Sequence, residues 1–343
     1  MATMDEFGQT FTVALTAIGT GCVFGYVLQR GGFCLTRALS NLFIMQDARI
    51  ARAYLLALLV AMAGTHVLIS LGLVEMPIRP FHWLANVVGG FIFGVGMILS
   101  GGCSGSTWYR VGEGAIGAVI VLLGFAMGAT ATSVGILAPL RQTLQDPEIL
   151  IDGSAPTLAT LIGLAPGVSP SLAPWLIIVG FGIVVALLFR RGESEPEHGK
   201  WPWPMTGIAV GLMIALGWLT SSVGGSPTGI TFAINTGHLL TYPLVRYPNQ
   251  INWSMWLLPG VVLGSFIAAW RAREFGWKLP KAESLSQLFA GGLIMGIGGI
   301  LGEGCNITQG LTNSATLALG SLTTFGAIIL GAWVTIRVMF PGK

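Results

Sequence analysis

One glycine-cysteine motif occurs twice in the chain, and this duplication constrains the fold more than any other feature. Segment 89–103 reads GGFIFGVGMILSGGC, and segment 291–305 reads GGLIMGIGGILGEGC. Their shared glycines and final cysteines are 202 positions apart throughout, without a gap. The chain has four cysteines, so two in register indicate duplication rather than chance. We therefore expect two equivalent halves that place Cys103 and Cys305 near a pseudo-symmetry axis.

The composition is that of an integral membrane protein. Hydrophobic residues make up 53% of the chain and charged residues 9%, with a mean hydropathy of +0.77, whereas soluble domains are about 25% charged. The chain is therefore expected in a lipid bilayer, with no nucleic-acid partner. The four cysteines form no Cys-x-x-Cys pair, and the four histidines show no ligand spacing, so we expect no metal and no cofactor.

Nine apolar stretches are long enough to be membrane spans, which need about 20 residues. They lie near 11–29, 51–74, 82–101, 114–139, 173–190, 203–221, 252–270, 285–302 and 318–340. Four glycine-rich stretches are too apolar for ordinary loops: 30–48, 102–113, 223–245 and 303–317. We interpret these as re-entrant loops or half-helices, which survive at membrane depth when protein buries them or when they line a wet cavity. The predicted fold class is an all-α membrane protein.

The distribution of basic residues predicts the orientation. With the N-terminus on one side, that side's loops hold three of the 17 basic residues, namely Arg79, Arg141 and Arg246, and the other side holds fourteen. The positive-inside rule makes the second side cytoplasmic. The N-terminus is therefore expected outside and the C-terminus inside. Five tryptophans fit interfacial belts: Trp108, Trp201, Trp203, Trp253 and Trp256.

The span count makes the two halves inverted repeats within one transmembrane domain, 1–343. Residues 1–139 form repeat one and 203–343 form repeat two. Residues 140–202 supply an outer loop, a linking span and an inner linker. Inverted repeats with interrupted helices are typical of transporters whose site lies near the bilayer midplane.

The interrupted segments can bind a small anion without an ionised side chain. Serine and asparagine favour helix starts, and free N–H groups at such starts attract anions. The predicted lining of the path comprises Ser104, Gly105, Asn306, Gln309 and Arg30. Arg30 also has a simpler interpretation as a cytoplasmic positive-inside charge, and the polar residues could instead satisfy broken helix ends.

The cysteines narrow the kind of anion. A thiol suits a soft, polarisable atom better than a hard oxyanion such as sulfate. Cys103 and Cys305 are predicted to be functional, and Cys34 is a third candidate without a thiol counterpart in half two, where the matching position lies near Ser226–Pro227. The alternative for each is a small apolar filler, which we prefer for Cys22.

The segments 29–34 (QRGGFC), 100–105 (SGGCSG) and 304–310 (GCNITQG) resemble the YeeE/YedE family of bacterial inner-membrane proteins, whose characterised members take up thiosulfate. The resemblance implies that Cys34, Cys103 and Cys305 hold the terminal sulfur of thiosulfate by S–H···S hydrogen bonds. It also implies a small cytoplasmic sulfurtransferase of the TusA-like (YeeD/TsuB) type. No such domain follows Lys343, so this partner is expected as a separate chain. Some relatives are linked to selenium, which leaves the solute open.

Two other functions compete with a thiosulfate importer. The thiols could accept sulfane sulfur as a persulfide, in a membrane sulfurtransferase, but the sequence places no general base beside Cys103 to form the thiolate that such chemistry needs. A soft-metal transporter would use thiolates, but it would need Cys-x-x-Cys, methionine or histidine clusters near the site. We therefore expect a transporter and not an enzyme. Glu303, two residues before Cys305, is an awkward charge on an anion path and could be protonated, solvent-facing or a gate.

Overall fold

The computed structural model describes residues 2–75, 77–151, 153, 155–163, 169, 171–189, 199–244 and 252–341. Arg246 and most of the predicted inner linker, 190–198, lie outside the described residues. The described part is helical and contains no β-sheet, which confirms the predicted all-α class.

Fourteen α-helices occur in the described part of the chain. They are α1 (Ala2–Gly31), α2 (Leu35–Ser40), α3 (Arg49–Ser70), α4 (Trp83–Leu99), α5 (Ser104–Gly112), α6 (Ile116–Ser133), α7 (Ala138–Gln145), α8 (Leu158–Gly163), α9 (Ala173–Phe189), α10 (Trp203–Val223), α11 (Ala233–Leu244), α12 (Trp253–Arg271), α13 (Leu285–Leu301) and α14 (Leu319–Met339). Two π-helical segments, Asn41–Met45 and Thr308–Asn313, follow the first and last interruptions.

The long helices agree with the predicted spans. Among the described residues, eight helices are long and apolar enough to cross a bilayer, and α9 is a shorter apolar helix. At 17 residues, α9 reaches about 25 Å, near the lower limit for a span. The short helices α2, α5 and α11 and the π-helical segment Thr308–Asn313 fall in the four stretches that the sequence marked as interrupted.

A left-handed backbone residue ends both α4 and α13, and it does so at equivalent positions. Gly101 has φ +66° and Glu303 has φ +59°, and the two residues are 202 positions apart. Glycine adopts this conformation without a Cβ penalty, whereas a glutamate is strained there. The same left-handed backbone turn therefore precedes each cysteine. Glu303 adopts in the second half the conformation that Gly101 adopts in the first.

The repeat-equivalent helices α4 and α13 cross at their glycines. A methyl group on Gly96 would collide with the backbone nitrogen of Met295, and one on Gly298 would collide with the backbone nitrogen of Phe93. These two contacts are the same contact, exchanged between the halves at the 202-residue offset. Gly89 lies against Gly302 while Gly96 lies against Met295, so α4 and α13 run antiparallel. Such close backbone approach is typical of small-residue packing in membranes.

Each half packs its outer helices against the other half. Helix α1 packs against α12 and α10 against α3, while α4 packs against α14 and α13 against α6. The most extensive helix packing in the described part of the chain therefore runs between the halves. The division at 1–139 and 203–343 stays a prediction, and the antiparallel α4–α13 contact supports it.

Two of the five tryptophans predicted for interfacial belts lie elsewhere. Trp108 and Trp253 are buried, with 9% and 0% of their surface exposed. The indole of Trp108 donates to Thr236 Oγ1 at 3.1 Å inside the protein. The prediction was wrong for these two. Trp108 lies on α5, a short helix inside the bundle, whereas Trp253 begins α12 with its ring against Gly224, and its indole nitrogen has no protein partner among the described residues.

Candidate transport path

Two interrupted helices meet at the centre of the molecule. Cys103 immediately precedes α5, and Cys305 precedes the irregular helix that becomes the π-helical segment Thr308–Asn313. The next residues touch: Ser104 Oγ donates to Asn306 Oδ1 at 3.1 Å, across 202 positions of sequence. One residue further on, a Cβ on Gly105 would lie 3.1 Å from the side chain of Ile307. The predicted equivalence of the two cysteine segments is thus visible as direct contact between matched residues.

Cys103 lies close to Cys34, the third candidate cysteine. The side chains of Cys34 and Cys103 are close enough for their thiols to interact, and Ser106 lies beside both. The Cys103 carbonyl accepts from Ser106 Oγ at 2.9 Å and from Thr107 Oγ1 at 2.8 Å, which fixes the turn. Both cysteines are buried. The residues therefore place two thiols side by side, one from each of two interruptions in the first half.

Cys305 is fully buried and is held by its own segment. Its Sγ lies 3.3 Å from Thr308 Oγ1, and the backbone N–H of Thr308 donates to it at 3.5 Å. The backbone N–H of Gln309 donates to the Cys305 carbonyl at 2.7 Å, while Gln309 Nε2 donates to the Gly302 carbonyl at 2.8 Å. Gln309, predicted as lining, thus closes the turn around Cys305.

Tyr54 is a residue of this centre that the sequence reasoning missed. Its hydroxyl donates to the Asn306 carbonyl at 2.6 Å, and its ring is stacked between Phe33, at 5.2 Å, and Phe325, at 5.3 Å. A tyrosine within an apolar span carries no signal of its own, and its partner lies 252 positions away. The stack fixes the Asn306 segment against α3.

A cavity of about 800 Å³, which we call the Cys34 basin, reaches the first half of this centre. Cys34 and Ser106 line it together with four basic and two acidic residues: Arg37, Arg110, Lys200, Lys278, Glu113 and Glu274. All four basic residues belong to the side that the sequence analysis assigned to the cytoplasm. The excess of positive charge would attract an anion into the basin.

Glu274 neutralises part of this charge. It lies 2.8 Å from Lys200 Nζ and 3.5 Å from Arg30 Nη1, and it accepts from Gln29 Nε2 at 2.6 Å. Partial burial of the Glu274 carboxylate opposes ionisation, but the hydrogen bonds from Lys200 and Gln29 outweigh it and lower its pKa. Arg30, predicted as lining, donates to the Gly199 carbonyl at 2.7 Å and belongs to this ion-pair network at the rim.

A second cavity, the arginine mouth, lies on the other side of the centre. It has a volume of about 180 Å³, and its lining includes Arg79, Arg141, Thr231, Glu303 and Thr308. Thr308 connects the cavity to Cys305 through the 3.3 Å contact between their side chains. The three cysteine segments therefore lie between two cavities that both carry basic side chains.

Comparison with known proteins identifies the family of this chain. Residues 30–334 match the family model described as Sulphur transport. The chain belongs to this family. It is 31% identical over 336 residues to the thiosulfate transporter TsuA of Escherichia coli strain K12, covering 96% of each chain. It is 31% identical over 337 residues to TsuA of Spirochaeta thermophila, covering 95% of this chain and 98% of that one. A probable transporter YedE of Salmonella typhimurium is 32% identical over 180 residues, 51% of this chain and 42% of that protein.

Family membership confirms the suspected resemblance and the prediction of a sulfur-anion transporter in preference to an enzyme. As a member of the sulphur transport family with eight long apolar helices in its described part, the protein is a multi-pass membrane protein. The described residues contain no group of three histidine, cysteine or acidic side chains that could hold a metal ion.

The two halves of the chain differ at the ends of the candidate path. Cys34 precedes α2, whereas the residue that precedes α11 in the second half is Phe232, with Thr231 lining the arginine mouth. The sequence placed the counterpart of Cys34 near Ser226–Pro227, several residues too early, because the irregular stretch between α10 and α11 is longer than that between α1 and α2. With either alignment, the position in the second half that matches Cys34 is not a cysteine.

Proposed function

We propose that this protein imports thiosulfate, which passes Cys305, Cys103 and Cys34 on its way from the arginine mouth to the Cys34 basin. The two relatives that match over nearly the whole chain are thiosulfate transporters, which supports this substrate. The observation that carries the mechanism is the position of three buried cysteine segments between two basic cavities.

The chemistry of thiosulfate matches this lining. The ion is a dianion with one soft terminal sulfur and three hard oxygens. A neutral thiol donates an S–H hydrogen bond to the soft sulfur, whereas a thiolate would repel the dianion. The oxygens need N–H or O–H donors, and the buried amide nitrogen of Asn306 has no protein partner among the described residues. A buried unpartnered donor costs about 1–3 kcal/mol, and a passing oxyanion would satisfy it.

The orientation and the symmetry belong to the same proposal. In a bacterial inner membrane, the arginine mouth faces the periplasm with the N-terminus, and the Cys34 basin and the C-terminus face the cytoplasm. This assignment rests on the asymmetry of basic residues. The halves are inverted repeats about the central path, which is supported by the antiparallel crossing of α4 and α13.

The family resemblance adds a cytoplasmic partner. We propose that a separate TusA-like sulfurtransferase takes the sulfur after import, because transport alone does not use it. In cells that express the transporter without such a carrier, growth on thiosulfate should slow while initial uptake stays unchanged. Equal growth with and without the carrier would show that the transporter does not need this partner.

Uptake-dependent growth tests the proposal. A bacterium that lacks its sulfate and thiosulfate importers receives this gene, or its Cys103→Ala or Cys305→Ala variant, with thiosulfate as the sole sulfur source. Growth with the parent protein and loss with either variant are expected. Cys22→Ala is the matched control, since Cys22 is half-buried on α1 and its backbone packs against Gly264.

Each other outcome has a clear meaning. If the parent protein reaches the membrane but supports no growth, thiosulfate is the wrong solute, and a selenium-containing or other sulfur anion replaces it. If all variants grow, the cysteines are packing residues. A persulfide found by mass spectrometry on Cys103 or Cys305 after exposure to thiosulfate would favour the sulfurtransferase alternative.

A further inference from the structure

A third cavity lies beside the candidate path without being part of it. It has a volume of about 420 Å³ and is formed by the first interruption, the start of α3 and the start of α10, on the side that we assign to the cytoplasm. We call it the α3–α10 pocket. None of the described residues that line it is a cysteine. Its charged lining comprises three basic residues and one acidic residue, namely Arg37, Arg49, Lys200 and Asp47.

The positive charge of this pocket is only partly offset by carboxylates. Asp47 lies 2.9 Å from Arg49 Nη2, and it also accepts from the Arg49 backbone N–H at 3.0 Å. Lys200 lies 2.8 Å from Glu274, which lines the Cys34 basin and not this pocket. Two carboxylates thus stand against three cationic side chains. The remaining positive potential favours an anion in the pocket.

Two long helices begin at the pocket and run in the same direction. Gly207 and Gly211 of α10 lie against the carbonyls of Ala53 and Ala57 of α3, in that order, so the two helices are parallel. The first turns of both helices line the pocket, and the residues directly before them supply no side-chain cap. Parallel helix dipoles add two partial positive charges to those of the basic side chains at the same place.

The apolar lining of the pocket indicates a ligand that carries hydrocarbon as well as charge. Met45, Trp201 and Trp203 line the pocket, and Met45 is 72% exposed. Tryptophan is typical of the level at which lipid headgroups meet acyl chains. An exposed apolar stripe runs along α10 from the same end, formed by Met205, Ile208 and Leu212. A soluble phosphate ion would use the charges but would leave this apolar surface uncovered.

We propose that the α3–α10 pocket binds the phosphate of an anionic phospholipid from the inner leaflet, with the acyl chains along the α10 stripe. The anionic lipids of that leaflet are attracted to basic residues at its surface. The site goes beyond the proposed import of thiosulfate and does not depend on the identity of the solute. Arg37 and Lys200 line both this pocket and the Cys34 basin, so the lipid braces the wall that the two cavities share.

Thermal unfolding of the purified, delipidated full chain in detergent tests the site. Dioleoyl phosphatidylglycerol should raise the unfolding temperature by about 3 °C, as expected for a ligand well above its dissociation constant. Dioleoyl phosphatidylcholine, which has the same chains and a zwitterionic headgroup, should leave the temperature unchanged. Glycerol phosphate, which has the phosphate without the chains, should also leave it unchanged.

Two variants separate lipid binding from a merely structural ion pair. Arg49→Gln removes a cation and should lose most of the phosphatidylglycerol shift; the Arg49 side chain is 38% exposed, so no packed core is disturbed. Asp47→Asn breaks the same ion pair but removes a negative charge, so it should keep or increase the shift. Arg271→Gln is the control and should keep the shift, because Arg271 is exposed at the end of α12 and lines neither this pocket nor the basin.

Several results would overturn the proposal. Equal shifts with the two phospholipids would mean that the pocket does not select an anionic headgroup, and an equal shift with glycerol phosphate would mean that it takes a soluble phosphate. A full shift in Arg49→Gln, or its loss in both Arg49→Gln and Asp47→Asn, would also contradict the site. If Arg49→Gln does not fold, native mass spectrometry of the parent protein decides. Retention of an anionic phospholipid from the membrane supports the site, and retention of none contradicts it.

Discussion

The centre of the candidate path is matched between the two halves of the chain, whereas its two ends are not. At the centre, Ser104 contacts Asn306 across the 202-residue offset, and each half supplies one thiol in the same place. At the ends the offset fails: one end has Cys34 in a basin of about 800 Å³, and the other has Thr231 in a mouth of about 180 Å³. The repeat has been kept where the ion would cross the midplane and lost where it would enter and leave.

This difference has a physical meaning for a transporter. A site with matched groups from two inverted halves offers the same contacts to an ion arriving from either side, so it cannot favour one direction. The unequal ends offer different contacts on the two sides, since one presents a soft thiol beside four basic residues and the other presents hydroxyl groups beside two arginines. In the proposed path, the centre would bind the sulfur and the ends would set the affinity on each side, while the direction of net transport follows the gradient of the ion.

The largest expected effect comes from breaking the symmetric crossing itself. Gly96→Leu and Gly298→Leu each drive a side chain into the backbone of the opposite helix, at Met295 and Phe93 respectively. Each should cost several kcal/mol, because packed backbones cannot move apart locally. Both variants should fail to give a monodisperse peak in detergent size-exclusion chromatography. Gly326→Leu, at an exposed α14 position with open space, should behave like the parent protein.

A stable Gly298→Leu protein beside an unfolded Gly96→Leu protein would show that the two halves do not share one reciprocal contact. The comparison between centre and ends would then lose its basis.

Serine substitution tests whether the ends differ in chemistry. Cys34→Ser removes the sulfur from the basin, and Thr231→Ser keeps the hydroxyl in the arginine mouth. We expect the first to lower thiosulfate uptake roughly tenfold, the scale of one hydrogen bond to a charged group, and the second to leave uptake unchanged. Radiolabelled uptake into cells measures both. Equal losses would mean that the sulfur at Cys34 has no special role.

Tyr54→Phe tests the support of one half of the centre. The aromatic stack with Phe33 and Phe325 remains, but the hydrogen bond to the Asn306 carbonyl is lost. An unsatisfied buried carbonyl should lower the free energy of unfolding by about 1–3 kcal/mol. Because Tyr54 holds the segment after Cys305, alkylation of Cys305 should accelerate more than alkylation of Cys103.

Tyr26→Phe is the control for this variant, since the Tyr26 ring packs on Trp201 at 6.2 Å, away from the Asn306 segment. Mass spectrometry after brief alkylation gives the rates of the two thiols. Equal acceleration at both thiols would indicate that Tyr54 stabilises the bundle as a whole.

The smallest effect is expected at the rim of the Cys34 basin. The pKa of Glu274 lies below its ordinary value of 4.5, because the hydrogen bonds from Lys200 and Gln29 outweigh partial burial. Its contribution to stability is therefore complete above that ordinary value and is lost as the pH falls through the lowered pKa. Glu274→Gln should lower the unfolding free energy by less than about 1 kcal/mol at neutral pH.

The difference between the Glu274→Gln variant and the parent protein should disappear in acid. Thermal unfolding in detergent between neutral and acidic pH measures it. A difference that grows as the pH falls would have the wrong sign for a lowered pKa. It would show that the ion pairs of Glu274 do not stabilise the folded protein.

The sequence predicts the spans because a bilayer demands long apolar helices, and it predicts the equivalence of Cys103 and Cys305 because duplication leaves a readable register. It does not predict the contact of Cys34 with Cys103, since the register fails at that end. It misses Tyr54 because an apolar span and a partner far along the chain give no local signal.

The same limit explains the remaining errors. The sequence predicts Trp108 and Trp253 as interfacial residues, yet both are buried, Trp108 on the short helix α5 and Trp253 against Gly224 at the end of α10. The convergence of Arg79 and Arg141 on one cavity depends on how α7 packs near α4 and α13. A single sequence places such residues on a side of the membrane, but it does not bring them together.

The most direct test of the account compares the two central thiols in one assay. Initial uptake of radiolabelled thiosulfate is measured in proteoliposomes that contain the parent protein, Cys103→Ala, Cys305→Ala or the control Cys22→Ala, at equal protein content. The account predicts that both central variants lose at least tenfold in rate, the scale of one hydrogen bond to a charged group, while Cys22→Ala retains the parent rate. Retention of the parent rate by either central variant would contradict a path built from one thiol of each half.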